Sequence, residues 1–187
     1  MNILHKIFRT NAETYLEDVI YEDESVLIAS QSERPPKCFE FKCLASIVKN
    51  CDPEKMTSEF SKYALLKMAG SDDCNGQRYH RLEQALDTLR GVRICNIDKG
   101  NVFSFFDSFE YHKTSCTNGR LSHTYTVKLN STFYEIMKNF TDRLGETGWE
   151  EFRKISSGII MSIFIQTVLY GRVTLTRDET CIFLNKK

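Results

Sequence analysis

The sequence predicts an α+β fold: a winged helix-turn-helix with an N-terminal extension and C-terminal helices. Three observations carry this expectation. Residues 60–97, FSKYALLKMAGSDDCNGQRYHRLEQALDTLRGVRICNI, hold a short helix, a polar turn, a longer amphipathic helix and a strand. Two glycine turns, Asp98-Lys99-Gly100-Asn101 and Asn118-Gly119, fold the segments after it into hairpins, because glycine takes positive φ at no steric cost. A further helical run begins just after Leu129.

Taken in order, residues 1–34 form an acidic extension in which SVLIAS (25–30) is a strand. Pro35-Pro36 is a stiff break. CFEF (38–41) is a short strand or the start of a helix carrying Leu44, Ile47 and Val48, and Asp52-Pro53 is a turn. A helix is expected over Ser58–Ala69, burying Phe60, Tyr63, Ala64, Leu66 and Met68, with Ser58 or Thr57 as its cap and Gly70 as its end. The next helix starts near Asn75–Gln77, buries Tyr79, Leu82, Ala85, Leu86 and Leu89 at spacings of three and four, and stops at Gly91. Val92–Ile97 alternates as a strand. Val102–Tyr111 and Thr124–Leu129 are the arms around the second hairpin. Ser131 is read as the cap of a helix with Phe133, Tyr134, Ile136, Met137 and Phe140. Residues 148–170 are mostly helical, and one or two short strands lie beyond residue 172. As domains, this gives 1–34 as the extension, 35–140 as the winged helix, and 141–187 as a C-terminal helical segment with room for a truncated second winged domain.

The chain has 187 residues, 41% hydrophobic and 27% charged, which is enough for a real core. No apolar run is long enough to span a membrane, and the N-terminus lacks a secretory pattern. Seven cysteines without a Cys-x-x-Cys pair read as free thiols in a reducing, cytoplasmic compartment. The net charge is zero, but its distribution is uneven: residues 10–33 carry seven acids and no Lys or Arg, whereas residues 76–93 carry four arginines against two acids. A local basic face of this kind suits a site-specific binder of nucleic acid better than an indiscriminate one.

With its apolar seam inward, the helix 76–90 places Gln77, Arg81, Gln84 and Thr88 on one outer stripe, flanked by Arg78. Arg pairs bidentately with guanine and Gln with adenine, so Arg81, at the centre of the stripe, is expected to touch a base edge. The helix N-terminus also favours phosphate. Arg90, Arg93 and the wing residues Lys113, Arg120 and His123 are candidate phosphate or minor-groove contacts. Catalytic constellations are missing: there is no phosphate-binding loop ending in Lys-Ser/Thr, no Gly-x-Ser-x-Gly, and no metal-ligand spacing among His5, His80, His112 and His123. The reading is therefore a non-enzyme with no metal and no cofactor. Its partner is double-stranded DNA, with the replication machinery and a second copy of the chain as further candidates and no membrane. A transcriptional repressor on the same fold, or a winged helix that binds protein and not DNA, is the alternative.

Four blocks also carry a resemblance: FSKYALLKMAG (60–70), RYHRLEQALDTLRGVRI (78–94), SFFDSFEY (104–111) and TVKLNSTFYEIM (126–137). In order and spacing, residues 57–137 resemble the plasmid replication initiator protein A family. The resemblance implies winged-helix DNA-binding domains, residues 78–90 as the recognition helix of the first, and a role in starting or regulating replication of a plasmid-like or viral element. FRKISSGIIMSIFIQTVLYGR (152–172) resembles the helix that precedes the second domain of such proteins; the fifteen residues after it are too few for a complete second winged domain.

Overall fold

The computed structural model describes residues 19–22, 26–30, 36–96, 100–115 and 121–171. The proposed C-terminal strands, most of the acidic run, Arg120 and the tips of both hairpins lie outside these residues.

A helix buried on nearly every side organises the molecule. In α1 (Cys38–Lys49), ten of the twelve residues are buried, leaving only Lys42 and Lys49. Such a helix belongs at the centre of a core, and α1 packs against three other helices: α2 (Lys62–Met68), α3 (Gly76–Gly91) and α4 (Ser131–Lys154). CFEF is thus the start of this helix. After it, the Asp52 carboxylate accepts from the backbone N–H groups of Glu54 and Lys55 at 3.0 and 3.2 Å, which makes the expected turn.

Residues 58–61, expected to open a helix, belong instead to a strand, β3 (Thr57–Ser61). Its burial alternates, with Ser58 and Phe60 in and Glu59 out. Phe60 stacks across the strand pair on Tyr125 at 5.7 Å. Cross-strand pairing has overridden a run whose spacing fits a helix equally well. The helix therefore begins at Lys62, capped by Ser61, whose hydroxyl accepts from the Ala64 N–H at 3.1 Å. The later start leaves Tyr63 outside, 56% exposed, where the sequence had placed it in the core. Gly70 closes the turn at φ +87°. A Cβ there would sit 3.1 Å from both the Cβ and the carbonyl oxygen of Arg153, so glycine is needed for conformation and for close approach.

The α3 helix starts where expected. Asn75 caps it by accepting from the Arg78 N–H at 3.0 Å. Leu82, Ala85, Leu86 and Leu89 are buried, and Tyr79 is half-buried. Leu86→Ala is expected to cost roughly 2–5 kcal/mol in a urea melt, because it empties a closed site. Gln84→Ala, on the exposed side, should leave the midpoint nearly unchanged. If Gln84 were the sensitive position, the helix would be rotated from this placement.

Two antiparallel sheets follow. The first runs β1 (Val19–Glu22), β2 (Val26–Ser30), β4 (Val92–Asn96), β5 (Asn101–Ser104). The second runs β3, β7 (Leu121–Leu129), β6 (Phe106–Ser115). The Phe-rich segment expected as one strand is broken at Phe105. That side chain leaves the ladder, is fully buried, and meets Phe133 at 4.4 Å; the chain crosses there from one sheet to the other. Asn130, not Ser131, caps α4, accepting from the Phe133 N–H at 3.3 Å and donating to Asp107 at 3.0 Å. The α4 helix is kinked at Gly145 (φ 59°, ψ −173°). The last described helix, α5 (Gly158–Tyr170), ends on Gly171 in the left-handed region. Ile28 of β2, Phe41 of α1, Leu86 of α3, Phe152 of α4 and Ile165 of α5 belong to one buried cluster, so the core runs across residues 34/35 and 140/141.

The order α1, β3, α2, α3, β6, β7 is that of a winged helix-turn-helix, with the β4–β5 hairpin set between α3 and the winged sheet. Among the described residues no helix is long and apolar enough to cross a membrane.

Candidate nucleic-acid interface

The outer face of α3 is set by its buried seam. Gln77, Arg78, Arg81 and Gln84 are exposed along it, at the end where the helix begins. Thr88 is not on this face. It is 3% exposed, and its hydroxyl donates to the Gln84 carbonyl at 2.9 Å. Its spacing of four from Gln84 fitted the stripe, but α3 buries a wider arc near its C-terminus, where Ala85, Leu86, Thr88 and Leu89 are all buried. A residue the sequence reading missed takes part instead: His80, with its side chain 70% exposed, shares a 3.2 Å hydrogen bond with the Gln84 amide. The signal was the four-residue spacing.

The four arginines of residues 76–93 are not equivalent. The Arg81 guanidinium lies over the Phe39 ring at 4.5 Å, where the sequence reading had it reaching freely outward. Arg90 lies over Phe109 of β6 at 4.9 Å and faces Asp87 at 3.5 Å. Arg93 donates to the carbonyls of Arg90 and Val92 at 2.9 and 3.2 Å, satisfying carbonyls at the end of α3. Only Arg78 has neither a ring nor an acceptor under its guanidinium among the described residues.

The wing is the hairpin of β6 and β7, paired from Phe106–Leu129 out to Ser115–Leu121. Lys113 is exposed on β6, opposite His123 of β7. His123 is half-buried, and its Nδ1 shares a hydrogen bond with the Tyr111 hydroxyl, the two rings stacked at 5.6 Å. Lys62 bridges towards α3 by an ion pair with Glu83 and sits 5.9 Å from the Tyr111 ring centre. The base of the wing is therefore tied to the start of α2 and the middle of α3. Arg120 lies outside the described residues.

Among the described residues no three His, Cys, Asp or Glu side chains converge as metal ligands. The five described cysteines are free. Burial pushes the Cys43 thiol far above its ordinary range, and it raises Cys38 as well, which keeps both sulfurs protonated and poor as nucleophiles.

The family model described as "Initiator Replication protein, WH1" matches residues 29–159. No curated protein sequence matches the chain. Among solved structures, a crystal structure of domain 2 and domain 3 of RctB superposes with a TM-score of 0.56 at 9% identity, covering 99% of this chain and 82% of that one. A second crystal structure of RctB domains 2-3 gives 0.50 at 12% identity, with 94% and 70% covered. At such identities the likeness is one of fold.

Proposed function

Because the chain belongs to the family of initiator replication proteins and carries its WH1 domain, we propose that it binds a specific sequence of double-stranded DNA to initiate or regulate replication of a plasmid-like or viral element. One observation carries the reading: the row Gln77, Arg78, Arg81, Gln84 is exposed from the first turn of α3 to its middle, with the Lys113 edge of the wing on the same winged-helix unit. A recognition helix enters the major groove with its N-terminal residues toward the bases. Gln77 and Gln84 have the donor–acceptor amide that pairs with adenine. Arg78 and Lys113 serve the backbone. The reading requires no catalytic step and no cofactor. Duplex DNA is its partner, and the replication machinery or a second copy of the chain would join on the bound site.

The test is selection of bound duplexes from a random pool, followed by gel shifts. A shared sequence motif among the selected duplexes is expected. Gln84→Ala should then lose roughly 1–3 kcal/mol on the selected site and relax preference at one position. A chain that folds and retains no duplex would overturn the reading and favour a winged helix that binds protein.

A further inference from the structure

Where α1, α3 and the turn before α3 meet, they enclose a cleft of about 260 Å³. Phe39 and Lys42 line it from α1, Arg78 and Arg81 from α3, and Asp72 and Asp73 from the turn. Three cations converge here, and none of them is ion-paired among the described residues. Lys42 is one of two residues of α1 that escape full burial, and its ammonium donates to the carbonyl of Arg153, a neutral acceptor. Burial lowers its proton affinity; the neighbouring Cys38 and Cys43 sulfurs partly offset this, and the positive charges of Arg81 and Arg153 add smaller lowering effects. The Nε of Arg153 is buried with no hydrogen-bond partner among the described residues. Asp72 and Asp73 are exposed on the far wall.

Concentrating like charges around a half-buried ammonium is unfavourable unless an anion completes the arrangement. The cleft is shaped for one. Stacking on Phe39 fixes the Arg81 fork at 4.5 Å before any ligand arrives. A planar fork beside a point-like ammonium is the donor set that grips tetrahedral oxyanions. The first turn of α1, Cys38 and Phe39, also lines the cleft, but that helix end is already answered by the buried Glu40 carboxylate, which accepts from the Lys37 N–H at 3.0 Å, so the donors for an anion are the three side chains.

We infer that this cleft holds a phosphate group, with Lys42, Arg78 and Arg81 donating to its oxygens. On the DNA-binding reading, which supplies the source, it is a backbone phosphate flanking the site where α3 enters the groove. Arg81 is then a backbone contact and the base reading falls to Gln77 and Gln84. The same chemistry would take the phosphate of a free small molecule, so the test has two arms.

In the first arm, the full chain and its Lys42→Gln and Arg81→Gln variants are titrated with a selected duplex and a random duplex over a range of salt. Each variant is expected to weaken both duplexes by the same factor and to flatten the slope of log K against log salt by about 0.9. In the second, inorganic phosphate is added without DNA at constant ionic strength, and melting is followed. Phosphate is expected to raise the melting temperature of the parent chain and not of the variants. Folding is checked by circular dichroism, and Arg81→Gln, at an exposed position, serves if Lys42→Gln does not fold. Protection by phosphate together with loss of duplex affinity supports a backbone contact. Protection by phosphate in a chain that binds no duplex keeps the cleft as a site for a free phosphate compound and overturns the DNA reading. Unchanged slopes with no protection, in a chain that still selects a duplex, overturn the cleft and leave DNA binding standing. So does a loss confined to the selected duplex, which would make Arg81 a base reader.

Discussion

Phe152→Ala is expected to remove about 3–5 kcal/mol of folding stability, a large part of what a domain of this size has to lose. Phe152 is fully buried and touches four other rings: Trp149 at 5.3 Å, Phe41 at 5.5 Å, Phe140 at 5.6 Å and Phe164 at 6.2 Å. Those rings come from α1, α4 on both sides of its kink, and α5. Removing the central ring leaves a cavity that none of the three helices can close alone, since each is anchored elsewhere. Urea denaturation read by Trp149 fluorescence and by far-ultraviolet circular dichroism would check this. Both signals should move together to a lower midpoint. A loss below about 1 kcal/mol, or a fluorescence transition separate from the helical one, would show that residues after 140 fold as their own unit.

The second large effect is on DNA affinity. Raising salt from about 50 to about 200 mM is expected to weaken specific binding roughly 10²-fold. Each neutralised phosphate contributes about 0.9 to the slope of log K against log salt. Among the described residues four cations are placed to reach phosphates: Lys42, Arg78 and Arg81 at the cleft, and Lys113 on the wing. They give a slope of about −3.6. Arg90 and Arg93 are left out because Arg90 faces a carboxylate, Asp87, and Arg93 is held by two backbone carbonyls. A slope near zero would contradict a phosphate-bound complex altogether. A slope well beyond about −5 would mean that further cations join on binding, Arg90 and Arg93 by leaving their internal partners, or Arg120.

The amphipathic seam of α3 was legible in the sequence because apolar residues at three- and four-residue spacing have one efficient arrangement, and its Asn cap and Gly end are local chemistry. The same logic failed at residues 58–61. Ser58 and Phe60 fit a strand as well as a helix, and the partner that decides, Tyr125, is 65 residues away in sequence. Phe105 was misread for a related cause: no local signal distinguishes a Phe in a strand from one that leaves it to meet Phe133. Within the candidate site, charge and exposure were readable for Gln77, Arg78 and Gln84. Thr88 was lost to a widening of the buried arc, and Arg81 to a ring contributed by another helix. Lys42 was invisible as a site residue because it sits inside FEFKCLASIV, a run whose neighbours are all core. In hindsight, the one charge spared from burial along that run was the clue.

Arg153 stands at the end of α4 with contacts in two directions. Its guanidinium donates to the Lys67 carbonyl at 2.7 Å, its own carbonyl receives the Lys42 ammonium, and Gly70 packs directly against it. Three of the pieces that orient α3 are thereby fastened to a single residue at the far end of a long kinked helix. A tilt of that last turn, imposed by anything that grips α5, would shift the Lys42 ammonium and the α2–α3 turn in one stroke. A load on the C-terminal side would in this way reach the face that carries Arg78 and Arg81 mechanically, without a separate ligand to carry it.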